Sequence, residues 1–250
     1  MNWTASLFAP LRGLAVAVLG LACGSAQAGG ILTVSTVGFG SGCDFADLQA
    51  AINAASTAAA DSTVIRLSRD FSVSTVQVVD RNVTIDGRWP ACGSSLPQAG
   101  LQHALNGNGL DSVFRATTTG ASARTLVLNG MVVRGGGADD ALNERGGGLR
   151  ISGRVAATVL RSSISNNVSI LGGGIAVEGA FASLVLDDNS FVGLDGANPA
   201  NGASGIGPAL GLGGGIFCSG GQVTIIDARV RGNGASDDGG GIHLDNCDLT

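Results

Sequence analysis

The chain has 250 residues, a formal net charge of −5 at pH 7 and 14 basic residues, all of them arginine. The acidic balance gives no electrostatic reason to expect nucleic-acid binding, because recognition of the phosphate backbone needs a clustered basic surface. Without lysine, a P-loop lysine, a Schiff-base lysine and a lysine general base are excluded. Hydrophobic residues make up 44% of the chain and its 42 glycines show no Gly-X-Y period, so neither a disordered chain nor collagen is expected.

Residues 1–28 have the pattern of an export signal peptide. Arg12 precedes an apolar run from Leu14 to Ala22, and Ala26-Gln27-Ala28 supplies a small-residue cleavage site. Lipidation of Cys23 is a less favoured alternative. The apolar run is shorter than the roughly 20 residues of a membrane span, and no later segment is longer and as apolar. We therefore expect an exported mature chain without a transmembrane span, extracellular or at the outer-membrane surface.

Residues 29–112 are predicted to form an N-terminal cap and the first coils of the fold. Asp44 is a suitable N-cap for a helix from Phe45 to Ala55, whose apolar residues fall on one face. The stretch from Arg88 to Gly109 is rich in turn residues and predicts a long loop, with His103 as a solvated residue within it. Three short β-rich runs predict strands: Ile31 to Val34, Thr63 to Leu67 and Val83 to Gly87.

From residue 113 to residue 250, a block of three glycines followed by Leu or Ile recurs four times. The first and third intervals between blocks are equal, and the longer middle one indicates an insertion near Asn198 to Pro208, where we expect specific recognition. Periods of about 20 to 50 residues indicate solenoids. The sequence therefore predicts an all-β, right-handed parallel β-helix, the hand that parallel crossovers take. The glycines predicted to form its corners are Gly146, Gly147, Gly148, Gly172, Gly173, Gly174, Gly213, Gly214, Gly215, Gly239, Gly240 and Gly241.

Alternation within each repeat predicts which side chains face the core. The first and third residues after each glycine block are expected to point inward: Leu149, Ile151, Ile175, Val177, Ile216, Cys218, Ile242 and Leu244. The residues between them are expected to point outward: Arg150, Ala176, Phe217 and His243. A second strand in each coil is predicted to place further apolar residues inside: Leu128, Val133, Val159, Ile164, Leu186, Phe191, Ile225 and Val230.

Four cysteines remain after the predicted cleavage, an even number in a compartment expected to be oxidising. Cys43 and Cys92 flank the region before the repeats and are the expected disulfide. Cys218 and Cys247 are not at stacked positions of successive repeats, and their offset of about 10 Å along a strand argues against a bond between them. A zinc site is not expected either, because no two cysteines have zinc-ligand spacing.

The segments Ile164-Ser165-Asn166-Asn167 and Val230-Arg231-Gly232-Asn233 resemble the Phe-x-x-Asn motif of the chlamydial polymorphic outer-membrane proteins and their bacterial relatives, which include autotransporter passengers. The glycine blocks resemble the Gly-Gly-Ala-Ile motif of the same group. The run from Cys43 to Ile52 is similar to the helix that caps many secreted β-helix proteins. The resemblance implies a β-helix from about residue 31 to residue 250 and an adhesin-like role. It implies no particular activity, because β-helices host adhesins and polysaccharide-cleaving enzymes alike.

The last residues, Asp248-Leu249-Thr250, resemble the start of another strand. An uncapped solenoid leaves unpaired backbone and apolar core at its end. We therefore expect either a truncated or fragmentary chain, or an end that a partner or a self-contact covers.

Paired carboxylates are the main sign that this β-helix could be an enzyme. A hydrolase of the polygalacturonase type needs two Asp residues on adjacent coils, and the weak candidates are Asp140, Asp238 and the nearby His243, with Asp187-Asp188 as a further pair. Three Asp pairs fall at expected turns, where Asp is favoured for its own hydrogen bonds: Asp139-Asp140, Asp187-Asp188 and Asp237-Asp238. We therefore interpret them as turn residues and His243 as a surface residue.

The expected function is that of a non-enzymatic secreted or cell-surface protein for adhesion or cell-envelope contact, with a cell-surface protein or polysaccharide as partner and no cofactor. The alternative is a polysaccharide-active enzyme, a lyase or glycoside hydrolase, with Asp residues on one face of the β-helix. For a pectate-type lyase, Asp-bound calcium and Arg145 or Arg150 as the base would be expected. Convergence of the Asp pairs with Arg145 or His243 in one groove would favour the enzyme.

Overall fold

The computed structural model describes residues 30–34, 42–109, 111–137, 145–194, 200–204 and 211–250. These residues form one helix and 23 strands, and every strand pairing is parallel. From β2 onward, consecutive strands of the chain belong to different sheets, so each coil passes from sheet to sheet and then stacks on the coil before it. The predicted all-β parallel β-helix is confirmed.

Four sheets run along the coil stack. Sheet A contains β1 (Ile31–Val34), β2 (Thr63–Leu67), β5 (Val83–Asp86), β8 (Arg124–Asn129), β11 (Val155–Leu160), β15 (Ser183–Asp187), β19 (Gln222–Ile225) and β23 (Asp248–Leu249). Sheet B contains β3 (Phe71–Ser72), β6 (His103–Asn106), β9 (Met131–Arg134), β12 (Ser163–Ile164), β16 (Phe191–Gly193) and β20 (Arg229–Arg231). Sheet C contains β4 (Val76–Val79), β7 (Phe114–Thr117), β10 (Leu149–Ser152), β14 (Ile175–Glu178), β18 (Ile216–Ser219) and β22 (Ile242–Asp245). The short sheet D contains β13 (Val168–Ser169), β17 (Gly202–Ala203) and β21 (Gly234–Ala235).

The N-terminal cap is built around a short helix, α1 (Leu48–Ala54). The prediction that Asp44 starts this helix is wrong. The N-cap is Asp47, whose side chain accepts a hydrogen bond of 2.7 Å from Ala50 N. Asp44 instead accepts hydrogen bonds of 2.7 and 2.8 Å from the amide and hydroxyl groups of Thr33, so it ties the helix approach to β1. Asp44 and Asp47 are both suitable N-cap residues, and Asp47 caps the helix because the Asp44 side chain is bound to Thr33 in β1.

The core of the coil stack agrees with the predicted ladders except at two places. The six inward positions of β10, β14 and β18 are fully buried, whereas Leu244 in β22 is 37% exposed because no strand of sheet C follows it among the described residues. Phe191 was expected inside, but Val192 is the residue in register with Ile164, and it is fully buried in the core. Phe191 therefore lies on the outer side of sheet B, because a register error of one residue exchanges the two faces of a strand.

The glycine blocks form the corner that precedes sheet C. The first glycine of each block has a positive φ, between 65° and 68°, in a region that other residues seldom adopt. The second glycine touches the backbone of a neighbouring strand: a Cβ at Gly214 would lie 2.1 Å from the carbonyl oxygen of Gly234 in β21. The predicted corner role of these glycines is confirmed for both reasons.

A buried row of asparagines supports the same corner from inside. Asn167 Nδ2 donates to Asn201 Oδ1 at 3.0 Å, and Asn201 Nδ2 donates to Asn233 Oδ1 at 3.1 Å. Asn167 and Asn233 are the motif asparagines, whereas Asn201 falls inside the predicted insertion. The described part of that insertion forms β17 and pairs with its neighbours in sheet D. Residues 195–199 and 205–210 of the region lie outside the described residues.

Both cysteine pairs are disulfides. Cys43 and Cys92 are bonded as predicted, with their Cα atoms 5.2 Å apart. The expectation that Cys218 and Cys247 are not bonded is wrong, because their Cα atoms lie only 6.0 Å apart. Cys218 points into the core from β18, and Cys247 lies at the next coil's corner between β22 and β23. The bond crosses from a strand to a corner, so an offset counted along one strand overestimates the distance.

Candidate functional site

The outer face of sheet C is a regular six-stranded surface that carries the predicted site residues Arg150 and His243. Its strands are in register, so side chains from six successive coils form rows along the stack. The first outward row contains Gln77, Arg115, Arg150, Ala176, Phe217 and His243. The second contains Val79, Thr117, Ser152, Glu178, Ser219 and Asp245. With about 4.8 Å between neighbouring strands, the rows are about 24 Å long.

Ion pairs hold the charged half of this face. Glu178 accepts a hydrogen bond of 2.7 Å from Arg150 Nε and a second one from Arg145 Nη1. One step along the stack, Arg115 pairs with Asp111. The side chain of Glu178 is 11% exposed, whereas that of Arg145 is 43% exposed. The Arg145 guanidinium is thus the most exposed group of this cluster, and both carboxylates are occupied as hydrogen-bond acceptors.

The other half of the face is apolar, which the sequence did not indicate. Ala176 and Phe217 point away from the core as predicted, yet both are buried. The ring of His243 stacks on that of Phe217, with centroids 5.7 Å apart and planes 9° from parallel. His243 is partly exposed, in agreement with its interpretation as a surface residue, and its ring is also a stacking partner of Phe217.

The candidate acidic, basic and histidine residues share this side of the molecule but do not converge. Bridges join Arg145 to Leu171 and Leu171 to Leu212, and the carbonyl of Asp238 continues the row by accepting from Gly213 N at 3.0 Å. Arg145 and Asp238 are thus three coils apart, about 14 Å, with two leucines between them. Asp238 is exposed in a bend, which agrees with the turn interpretation. Asp140 lies outside the described residues.

Asp187 and Asp188 occupy a different edge, the corner between sheets A and B. Asp188 has φ 51° and pairs with Arg161, whose φ is 48°. Asp188 is a turn residue, as predicted, whereas Asp187 is the last residue of β15. They line an open cavity of about 760 Å³ together with Asp227 and Arg229. Within the described ranges, no three His, Cys, Asp or Glu side chains are grouped closely enough to hold a metal ion.

His103 does not lie in a solvated loop. It begins β6, and its ring nitrogens lie 3.0 Å from the carbonyl oxygen of Trp89 and 3.3 Å from Asp70 Oδ1. The Arg66 guanidinium covers the Trp89 ring at 3.6 Å. The prediction of an uninterrupted loop from Arg88 to Gly109 is therefore wrong, and His103 connects this segment to the coil before it.

Two charged groups have shifted pKa values, and both are held by short-range contacts. Hydrogen bonds from the side chain and backbone of Thr119 lower the pKa of Asp80, at the corner between sheets C and A. A hydrogen bond to Asp86 raises the pKa of Arg88. In both cases the hydrogen bonds stabilise the charged form of the side chain, which is the carboxylate of Asp80 and the guanidinium of Arg88.

These features define a parallel β-solenoid with two disulfides, in which the outer face of sheet C is charged along one half. In the part of the chain that the structure describes, no helix has the length and apolar character of a membrane span. No protein-family model, curated protein or solved structure matches this chain. The resemblance to the polymorphic outer-membrane proteins therefore stays a prediction.

Proposed function

We propose that this chain is an exported β-helix protein that binds an extended cell-envelope polysaccharide along the outer face of sheet C without cleaving it. The observation that carries the proposal is the charged half of this face, where Arg115 and Arg150 are in register on adjacent coils and Arg145 adds a third guanidinium beside Glu178. An extended polymer can contact guanidinium groups of successive coils on such a surface. The two disulfides support export, because they persist in oxidising compartments.

The charge arrangement favours binding over catalysis. Hydrolysis of a glycosidic bond needs one carboxyl group to protonate the leaving oxygen and a second to act on the other side of the sugar ring. On this face the carboxylates of Glu178 and Asp111 are engaged by arginines. Arg145 and Arg150 instead offer solvent-facing donors, which suit the hydroxyl and acidic groups of a polysaccharide.

The test measures binding and turnover on the same samples. The purified protein is mixed with acidic and neutral polysaccharides, with and without calcium, while bound polymer, unsaturated product and new reducing ends are followed. We expect saturable binding without either product. Arg150→Gln should weaken binding, because it removes a guanidinium donor from this face. The fold should be preserved, because Glu178 keeps Arg145 as a partner. The matched control is Arg134→Gln on sheet B, which should leave binding unchanged.

Product formation that Asp238→Asn abolishes would replace this proposal with the polysaccharide-active enzyme. If Arg150→Gln and Arg145→Gln each bind the polysaccharide as strongly as the unchanged protein does, sheet C is not the binding face.

A further inference from the structure

A small pocket on the outer side of sheet B is independent of the face discussed above. Register places Ser163, Phe191 and Arg229 side by side on three successive coils. Together with Asn189 and Arg231, they line a cavity of about 180 Å³. This volume equals that of about six water molecules, so the cavity can hold a single small ring but not a length of polymer.

The floor of this pocket contains an unsatisfied hydroxyl group. Ser163 is 2% exposed, and its Oγ atom has no hydrogen-bond partner among the described residues. A buried hydroxyl without a partner is costly, and most such groups in folded proteins are satisfied. Because Ser163 lines the cavity, a polar atom of a bound molecule would complete its hydrogen bonding.

Two guanidinium groups form the far wall. Arg231 lies over the Phe191 ring at 4.9 Å, and Arg229 Nη1 donates to Asn189 Oδ1 at 3.2 Å. Within the described residues, neither arginine is paired with a carboxylate, unlike Arg161 on the neighbouring coil. Their remaining N–H groups are therefore oriented donors for an anion.

The pocket shares Asn189 and Arg229 with the larger corner cavity, whose lining also includes Asp187 and Asp227. Carboxylates accept hydrogen bonds from hydroxyl groups. Anion donors, an aromatic ring and hydroxyl acceptors therefore lie close together on this side of the molecule. We propose that this pocket binds a sugar ring that carries an anionic group, either a carboxylate or a sulfate. The proposal does not depend on the function assigned to sheet C, because the two surfaces belong to different sheets.

The test titrates single sugars into the ¹⁵N-labelled protein and follows backbone amide shifts. The probes are galacturonate, glucose 6-sulfate, neutral glucose and inorganic sulfate. We expect saturable shifts around Ser163 and Phe191 with one or both anionic sugars, and the better of the two identifies the anionic group. Ser163→Ala should weaken binding about tenfold, and an Arg229→Gln/Arg231→Gln double variant should abolish it.

Arg154 supplies the matched control, because its guanidinium also lies over a phenylalanine, Phe181, at 3.8 Å but belongs to a different corner. Arg154→Gln should bind the sugars as the unchanged protein does. Glucose binding as tightly as galacturonate, or inorganic sulfate binding as tightly as glucose 6-sulfate, would overturn the proposal, because recognition would then ignore the anion or the ring. The absence of binding, or binding that survives both pocket variants, would overturn it as well. Arg150→Gln tests polysaccharide binding through sheet C in a separate experiment, so failure of one proposal can be distinguished from failure of the other.

Discussion

Replacement of Asn201 by alanine tests whether the buried asparagine row holds the coils together. Asn201 is 1% exposed, and its side chain makes four hydrogen bonds. Its Oδ1 accepts from the backbone and side-chain nitrogens of Asn167 at 3.1 and 3.0 Å. Its Nδ2 donates to the carbonyl of Ile164 at 2.8 Å and to Asn233 Oδ1 at 3.1 Å. The alanine variant loses all four bonds.

The expected loss in the free energy of unfolding follows from these contacts. The backbone N–H of Asn167 is left buried without an acceptor, which costs about 1–3 kcal/mol. The other three bonds contribute about 0.5–1.5 kcal/mol each. The total is about 2.5–7.5 kcal/mol, a large part of the stability of an ordinary domain.

The assay is guanidinium unfolding of both proteins, followed by far-UV circular dichroism with the disulfides intact. Asn53→Ala is the control, because Asn53 is exposed in α1 and its replacement should change the free energy by less than about 0.5 kcal/mol. A loss below about 1 kcal/mol for Asn201→Ala, or one no larger than the loss in the control, would refute the reasoning. The asparagine row would then fill space without stabilising the coil stack.

Three further predictions concern a corner, a disulfide and a carboxylate. Gly214→Ala should destabilise the protein by several kcal/mol in chemical unfolding, because the new Cβ would lie 2.1 Å from Gly234 O, whereas Gly93→Ala meets nothing within 4 Å and should be tolerated. The Cys218→Ala/Cys247→Ala double variant should lose about 2–4 kcal/mol, and a reducing agent should lower the melting temperature of the unchanged protein more than that of the variant; equal effects would contradict a stabilising bond. The pKa of Asp80 is lowered from its ordinary value of 3.8 when folded, so its stabilising effect is present above that value and is lost as the pH falls through the folded pKa. Asp80→Asn should therefore be less stable than the unchanged protein at pH 6, and the difference should narrow as the pH falls below 3.8; a difference that does not change with pH would have another cause.

The fold was predictable from the sequence because a solenoid uses the same local structure in every coil. Each coil needs the same corner and the same inward positions, so the recurring glycine blocks and the alternation after them carry the architecture several times over. Local ambiguities were resolved only by contacts. Asp44 and Asp47 are both suitable N-caps, and the hydrogen bonds to Thr33 determine which one is free to cap α1. The Asn-Gly-Ala sequence at Asn201 recurs at Asn233 and could have located the third member of the asparagine row.

The candidate sites depended far more on the three-dimensional structure. The sequence marked Asp238, Arg145 and His243 by residue type, but only the coil stacking shows that two leucines separate Arg145 from Asp238 and that a buried phenylalanine lies beside His243. The pocket at Ser163 was not predicted from the sequence, since its lining residues come from different coils and the motif that contains Arg231 points to its asparagine and not to its arginine.

The sequence by itself therefore determined the coil repeat, the corner glycines and most of the core, because these depend on local backbone geometry and on the two-residue period of a strand. Register between coils, the Cys218–Cys247 bond and the grouping of Phe191 with Arg229 and Arg231 were decided by tertiary structure. The physical reason is that stacking sets which side chains meet across about 4.8 Å between coils. A shift of one residue in that stacking exchanges the inner and outer faces.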